Sequence, residues 1–160
     1  MDFDKKLENA IERGQQRNTR LKDAERQKAL SVEDLRNRHN EYRLDLSEYI
    51  EVNLKKMAQH FPGFEYETLY GSKGWGGAIH RNDLDRGDDG KAGSFFSRVE
   101  LTVKPQNEYN VVNIAGKGMI RDKELFAWNH FVDLMDASFE EFHQRLDTWM
   151  VQYAEQFAAR

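Results

Sequence analysis

The sequence predicts an α+β fold, and three observations carry that expectation. The hydrophobic period is near 3.6 up to about position 60, shortens to 2 through the middle of the chain, and returns to 3.6 afterwards. Helices, then strands, then helices, without βαβ alternation, imply an antiparallel sheet with one face covered by helices. The expected organisation is a charged helical arm over 1–30 and a single α+β domain over 31–160. That domain would hold an amphipathic helix, three or four antiparallel strands and two C-terminal helices packed on one sheet face.

The first stretch, from Asp2 to Leu30, has no Pro, one Gly (Gly14) and dense Glu, Lys, Arg and Gln, which favours helix by propensity. Its apolar positions are Phe3, Leu7, Ile11 and Leu21. The seven-residue spacing from Leu7 meets Gly14 and Lys28, and Asn18 and Glu25 also fall where a zipper needs apolar groups, so its seam is weak. Ser31 followed by Asp34 resembles a capping box and predicts a new helix or a kink there. Val32, Leu35, His39, Tyr42, Leu46, Tyr49, Ile50, Leu54 and Met57 then recur at three- and four-residue steps, predicting a helix over 32–59. Pro62 ends it, because its ring cannot continue a helix and the preceding residue is pushed out of the α region.

Phe64, Tyr66, Thr68 and Tyr70 alternate with Glu65, Glu67 and Leu69, which predicts a strand. The cluster from Gly71 to Gly77 predicts a flexible hairpin connection before a short Ala78–Arg81 segment. Residues from Asn82 to Gly93 are polar, acidic and glycine-rich, and predict an exposed loop. Phe95, Ser97, Val99, Leu101 and Val103 alternate with Phe96, Arg98, Glu100, Thr102 and Lys104, so this strand has an apolar and a polar face. Pro105–Glu108 makes a turn, and Tyr109–Met119 pairs back as a hairpin. Two helices are expected to follow, one from Lys123 to Asp136 after an Asp122 cap, the other from Phe139 to Ala158 after a Ser138/Glu141 capping box.

Composition narrows the function classes. Ten Phe, six Tyr and three Trp supply the apolar bodies a disordered chain lacks. A formal charge of −4 gives no bulk basic field, so nucleic-acid binding is not favoured. The chain has no cysteine, which removes disulfides, thiol catalysis and thiolate metal sites, and fits a reducing compartment such as the cytoplasm. Acids and no apolar run at the N-terminus predict no export signal, and no stretch is apolar enough to predict a membrane span.

No motif predicts catalysis. The Gly71–Gly77 cluster lacks phosphate-loop spacing and leads into a strand rather than a helix. His80, Asp83, Asp85, Asp88 and Asp89 gather oxygen and nitrogen ligands, but a calcium loop begun at Asp85 would place Phe96 where a bidentate Glu is required. Glu140 and His143 form one Glu-x-x-His where a carboxylate-bridged bundle needs two. His39 reads as a hydrogen-bonded core or interface histidine, and His130 with Asp133 as a surface pair at helical spacing. No cofactor and no metal site are expected.

Two candidate surfaces remain. The first is the N-terminal helix with Leu7, Ile11 and Leu21, expected to associate with a second copy or another protein, because so charged a helix can hardly bury itself on a small domain. The second is a polar, basic and aromatic set around the sheet: Lys73, Trp75, His80, Arg81, Arg98, Glu100, Lys104, Lys117 and Arg121. Exposed, it would offer a small anionic ligand or a single strand of nucleic acid its cations and a stacking ring. Paired among themselves, the same charges are ordinary cross-strand ion pairs.

Overall fold

A computed structural model describes residues 2–86 and 92–160, without the side chains of 27–30, 85, 86 and 92. The architecture is α+β: a long helix α1 (Phe3–His60), strands β1 (Glu65–Leu69), β2 (Trp75–Arg86), β3 (Ala92–Val103), β4 (Val111–Ile120) and β5 (Lys123–Asp133), and helix α2 (Phe139–Ala158). Each strand pairs antiparallel with its neighbour in the chain, giving a five-stranded sheet in the order β1-β2-β3-β4-β5. Packing divides the chain into two units, one up to Asn37 and the other Arg38–Arg160.

Helix α1 runs through Ser31 without a new start, so the Ser31/Asp34 pair is not a cap. A capping side chain acts only where the preceding backbone leaves the helix, and after Gly14 no Gly or Pro forces that departure before Pro62. The helix stops at His60, and Gly63 takes the left-handed turn beyond it (φ 100°).

Within Arg38–Arg160, Tyr42, Leu46, Ile50, Leu54 and Met57 form the buried stripe of α1, and Phe142, Leu146, Trp149, Met150 and Tyr153 that of α2. Both stripes bear on one sheet face, whose core includes Ile79, Val99, Leu101, Val103, Val112 and Ile114. Tyr42 stacks on Phe139, and its hydroxyl donates to the Ala137 carbonyl at 2.7 Å. Trp128 of β5 stacks on Trp149 of α2 with ring centroids 5.5 Å apart. Gly116 makes that approach possible, since a Cβ there would lie 2.9 Å from the Trp128 ring and 2.6 Å from Leu101.

Three further expectations are corrected. The predicted helix Lys123–Asp136 is strand β5, so among the described residues there are one C-terminal helix, α2, and five strands. Arg121 and Asp122 both have positive φ (50° and 69°) between the paired residues Ile120 and Lys123, which is the two-residue hairpin turn that follows the twist of antiparallel strands. Asp122 accepts from the Phe96 N–H at 2.9 Å instead of capping a helix. Apolar residues on both faces of this segment, Leu125 and Phe131 as well as Phe126, Trp128 and Val132, also satisfy helical spacing, and tertiary pairing decides.

The expected loop from Asn82 to Gly93 is strand on both sides, since β2 reaches Arg86 and β3 begins at Ala92. A hairpin arm with water on its flanks can have loop-like composition, which hid it. The side chain of Asp85, with Asp88 and Asp89, lies outside the described residues, and so does the calcium-loop expectation built on them. Finally, His130 and Asp133 are not a helical pair. On a strand, positions three apart face opposite sides, and His130 instead meets Glu141 of α2 at 3.1 Å.

Candidate functional site

The strand register sorts the sequence-chosen residues by face. Trp75 pairs with Val103 and Arg81 with Ser97, which places both on the face covered by the helices. His80 pairs with Arg98, Arg98 with Met119, and Glu100 with Lys117, so these four candidate residues share the opposite face. Neither α2 nor the Arg38–His60 part of α1 packs there. Lys73 is exposed in the turn between β1 and β2.

On the covered face the aromatic and cationic groups are engaged within the fold. The Arg43 guanidinium of α1 sits 4.5 Å over the Trp75 ring. Arg81 grips Asp83 with two contacts of 2.8 and 3.0 Å, donates to the Pro62 carbonyl at 3.1 Å, and lies over Phe64 and Phe157. It therefore ties the end of α1 to the end of α2. Arg121 covers Phe95 at 4.5 Å while its backbone N–H donates to Ser97 Oγ at 3.0 Å.

On the open face, Arg98 is the hub. It bonds to the Glu67 carboxylate of β1 and stands 3.5 Å from Glu100. The hydrogen bond from Arg98 holds the Glu67 carboxyl below its ordinary range. A shallow depression of about 210 Å³ is lined by Arg98, Glu100, Lys117, Gly118, Met119 and Glu124. Its lining mixes the carboxylates of Glu100 and Glu124 with the cations of Arg98 and Lys117, and Arg98 is paired with both Glu67 and Glu100. An incoming anion would meet a guanidinium already held by two carboxylates, so the arrangement suits cross-strand pairing better than anion capture.

Leu7, Ile11 and Leu21 of the other candidate surface are all exposed on α1, as is Phe3, which retains 73% of its accessible surface. Among the described residues, no group of three or more His, Asp or Glu gathers as a metal site would require. Comparison with protein-family models finds no match, and neither curated proteins nor solved structures yield one.

One polar cluster was missed by sequence reasoning. His143 Nε2 lies 2.6 Å from Asp45 Oδ2, its ring stacks on Tyr49 at 3.9 Å, and the Tyr49 hydroxyl donates to Asp147 at 2.5 Å. Burial, and then the bond to Asp147, push the Tyr49 hydroxyl up to about 12. These residues lace α1 to α2. The available signal was spacing: Asp45 and Tyr49 are four apart on one helix, His143 and Asp147 four apart on the other, so each pair marks one helix face.

Proposed function

We propose that this chain is a protein-interaction or assembly module that associates through the N-terminal part of α1, over residues 1–30. The observation that carries this reading is the exposure of the apolar anchors Phe3, Leu7, Ile11 and Leu21 among the described residues of that segment. Helical stability in proteins comes mostly from packing an apolar face, and the described anchors of this segment are all exposed. Docking against another helix would supply it. The cysteine-free composition supports a reducing compartment, and we place the module in the cytoplasm on that ground.

The test measures molar mass by light scattering over a wide concentration range, for the full chain and for a Leu7→Glu/Ile11→Glu/Leu21→Glu variant. The expected outcome is a mass for the full chain above that of one copy, falling when the three anchors become charged. Equal masses at every concentration would overturn self-association through this helix.

A further inference from the structure

The two edges of the sheet are built differently. β1 is five residues long and reads Glu-Tyr-Glu-Thr-Leu, short and acidic, which is how natural sheets blunt an edge. β5 occupies the other edge over eleven residues. From Leu125 to Val132 it reads Leu-Phe-Ala-Trp-Asn-His-Phe-Val, without Asp, Glu, Lys, Arg, Pro or Gly. The register shift against Gly118/Met119 falls at the start of this run and leaves the rest regular. A long edge strand without gatekeepers presents a row of unpaired N–H and C=O groups and templates the addition of another strand.

The exposed side chains agree with that backbone. On the open face, Ala127, Asn129 and Phe131 follow one another at strand spacing, and Phe131 leaves 61% of its surface in solvent. Leu125 and Met135, near the two ends of the strand, are exposed as well.

We propose that β5 pairs antiparallel with β5 of a second copy of this chain, about a two-fold axis near Asn129, joining two five-stranded sheets into one. Self-complementarity selects a second copy. Pairing about Asn129 sets small Ala127 opposite large Phe131 of the other copy and Asn129 opposite itself, so that two side-chain amides can exchange hydrogen bonds. The paired run between Phe126 and Val132 has no charge to repel its image. At the ends, the same register sets Leu125 of one strand opposite Asp133 of the other. This contact is independent of the N-terminal helix, and the two would act on different surfaces.

The test uses the full chain in the Leu7→Glu/Ile11→Glu/Leu21→Glu background, so that failure of the helix reading and failure of this one are separable. Adding Asn129→Lys, or separately Phe131→Lys, places like charges at or near the dyad, and the light-scattering mass is expected to halve to that of one copy. Circular dichroism and a thermal melt check that each variant is folded. Because the chain has no cysteine, Asn129→Cys gives an independent readout: directly opposite antiparallel residues have Cα atoms about 4.5–5.5 Å apart, within the span of a disulfide. Mild oxidation should yield a species of twice the chain mass, while Thr68→Cys on β1 should not. A background chain that is monomeric throughout, masses unchanged by both lysine variants, or Asn129→Cys crosslinking no better than Thr68→Cys would each overturn the proposal, including the case in which a foreign strand occupies this edge.

Discussion

The two parts of α1, Phe3–Arg26 and Arg38–His60, share one helical backbone and use it in opposite ways. In the second, apolar residues are dense enough to make a continuous stripe, and Leu46, Ile50 and Leu54 have no solvent exposure. In the first, the row Phe3, Leu7, Ile11 is broken at Gln15 and Asn18, Leu21 has Arg17 and Glu25 one turn to either side, and the anchors stay in water. Helix propensity is similar in both parts. The density of apolar residues separates a core element from a segment that needs a partner.

The comparison can be broken most forcefully by truncation of matched leucines. Leu46→Ala is expected to destabilise the fold by about 2–5 kcal/mol, from lost burial plus the cavity left behind. Leu7→Ala should stay within about 0.5 kcal/mol at concentrations where the chain is monomeric. Urea unfolding of the two variants measures both, and equal losses would show that Leu7 is a core residue after all.

A smaller effect should come from pH. His39 is buried on α1, its Nε2 has no hydrogen-bond partner, and burial, with the Arg43 charge second, lowers its pKa from the ordinary 6.5. The unfolded chain then binds a proton that the folded chain resists. Stability is held above about pH 6.5 and is lost as the pH falls below it. Urea midpoints measured from about pH 7.5 down to about pH 5.5 should fall, and His39→Gln should flatten that fall. An unchanged slope in the variant would assign the pH dependence to other groups.

The smallest effect sharpens the first part of the helix. A Cβ at Gly14 meets nothing within 4 Å, so Gly14→Ala removes backbone entropy without a clash and should add about 0.5–1 kcal/mol to helix stability. Circular dichroism should show a helical signal more resistant to heating, and no change would mean that this turn is already fixed by packing.

What could be read in advance followed from how local its cause is. Helix α2 was legible because its stripe and its cap lie within a few residues of each other, and Ser138 Oγ does accept from the Glu141 N–H at 3.2 Å. β5 was not, because Leu125, Phe126, Trp128 and Phe131 fit both periods and the choice rests on pairing with β4. The polar set around the sheet illustrates the same limit at the level of a site. Whether Trp75 and Arg98 share a face depends on strand phase across a connection, and the sheet lies between them. The cluster of Asp45, Tyr49, His143 and Asp147 was hidden for a further reason, since its halves come together only in the tertiary structure.

The strand order also bears on how the chain reaches its native state. A meander in which every strand pairs with its sequence neighbour can grow hairpin by hairpin, each closing a short loop. The helices cannot: Tyr42 reaches Ala137 across 95 positions, and Tyr49 reaches Asp147 across 98. The entropy of that closure predicts that α2 docks on α1 late, after the sheet. In that order Trp128 and Phe126 would wait for their ring partners Trp149 and Tyr153, and the species expected to be vulnerable during refolding is a sheet with a bare aromatic face. Kinetically, Trp149→Ala should therefore speed unfolding far more than it slows folding, and stopped-flow rates showing the reverse would place the helix pair in the nucleus.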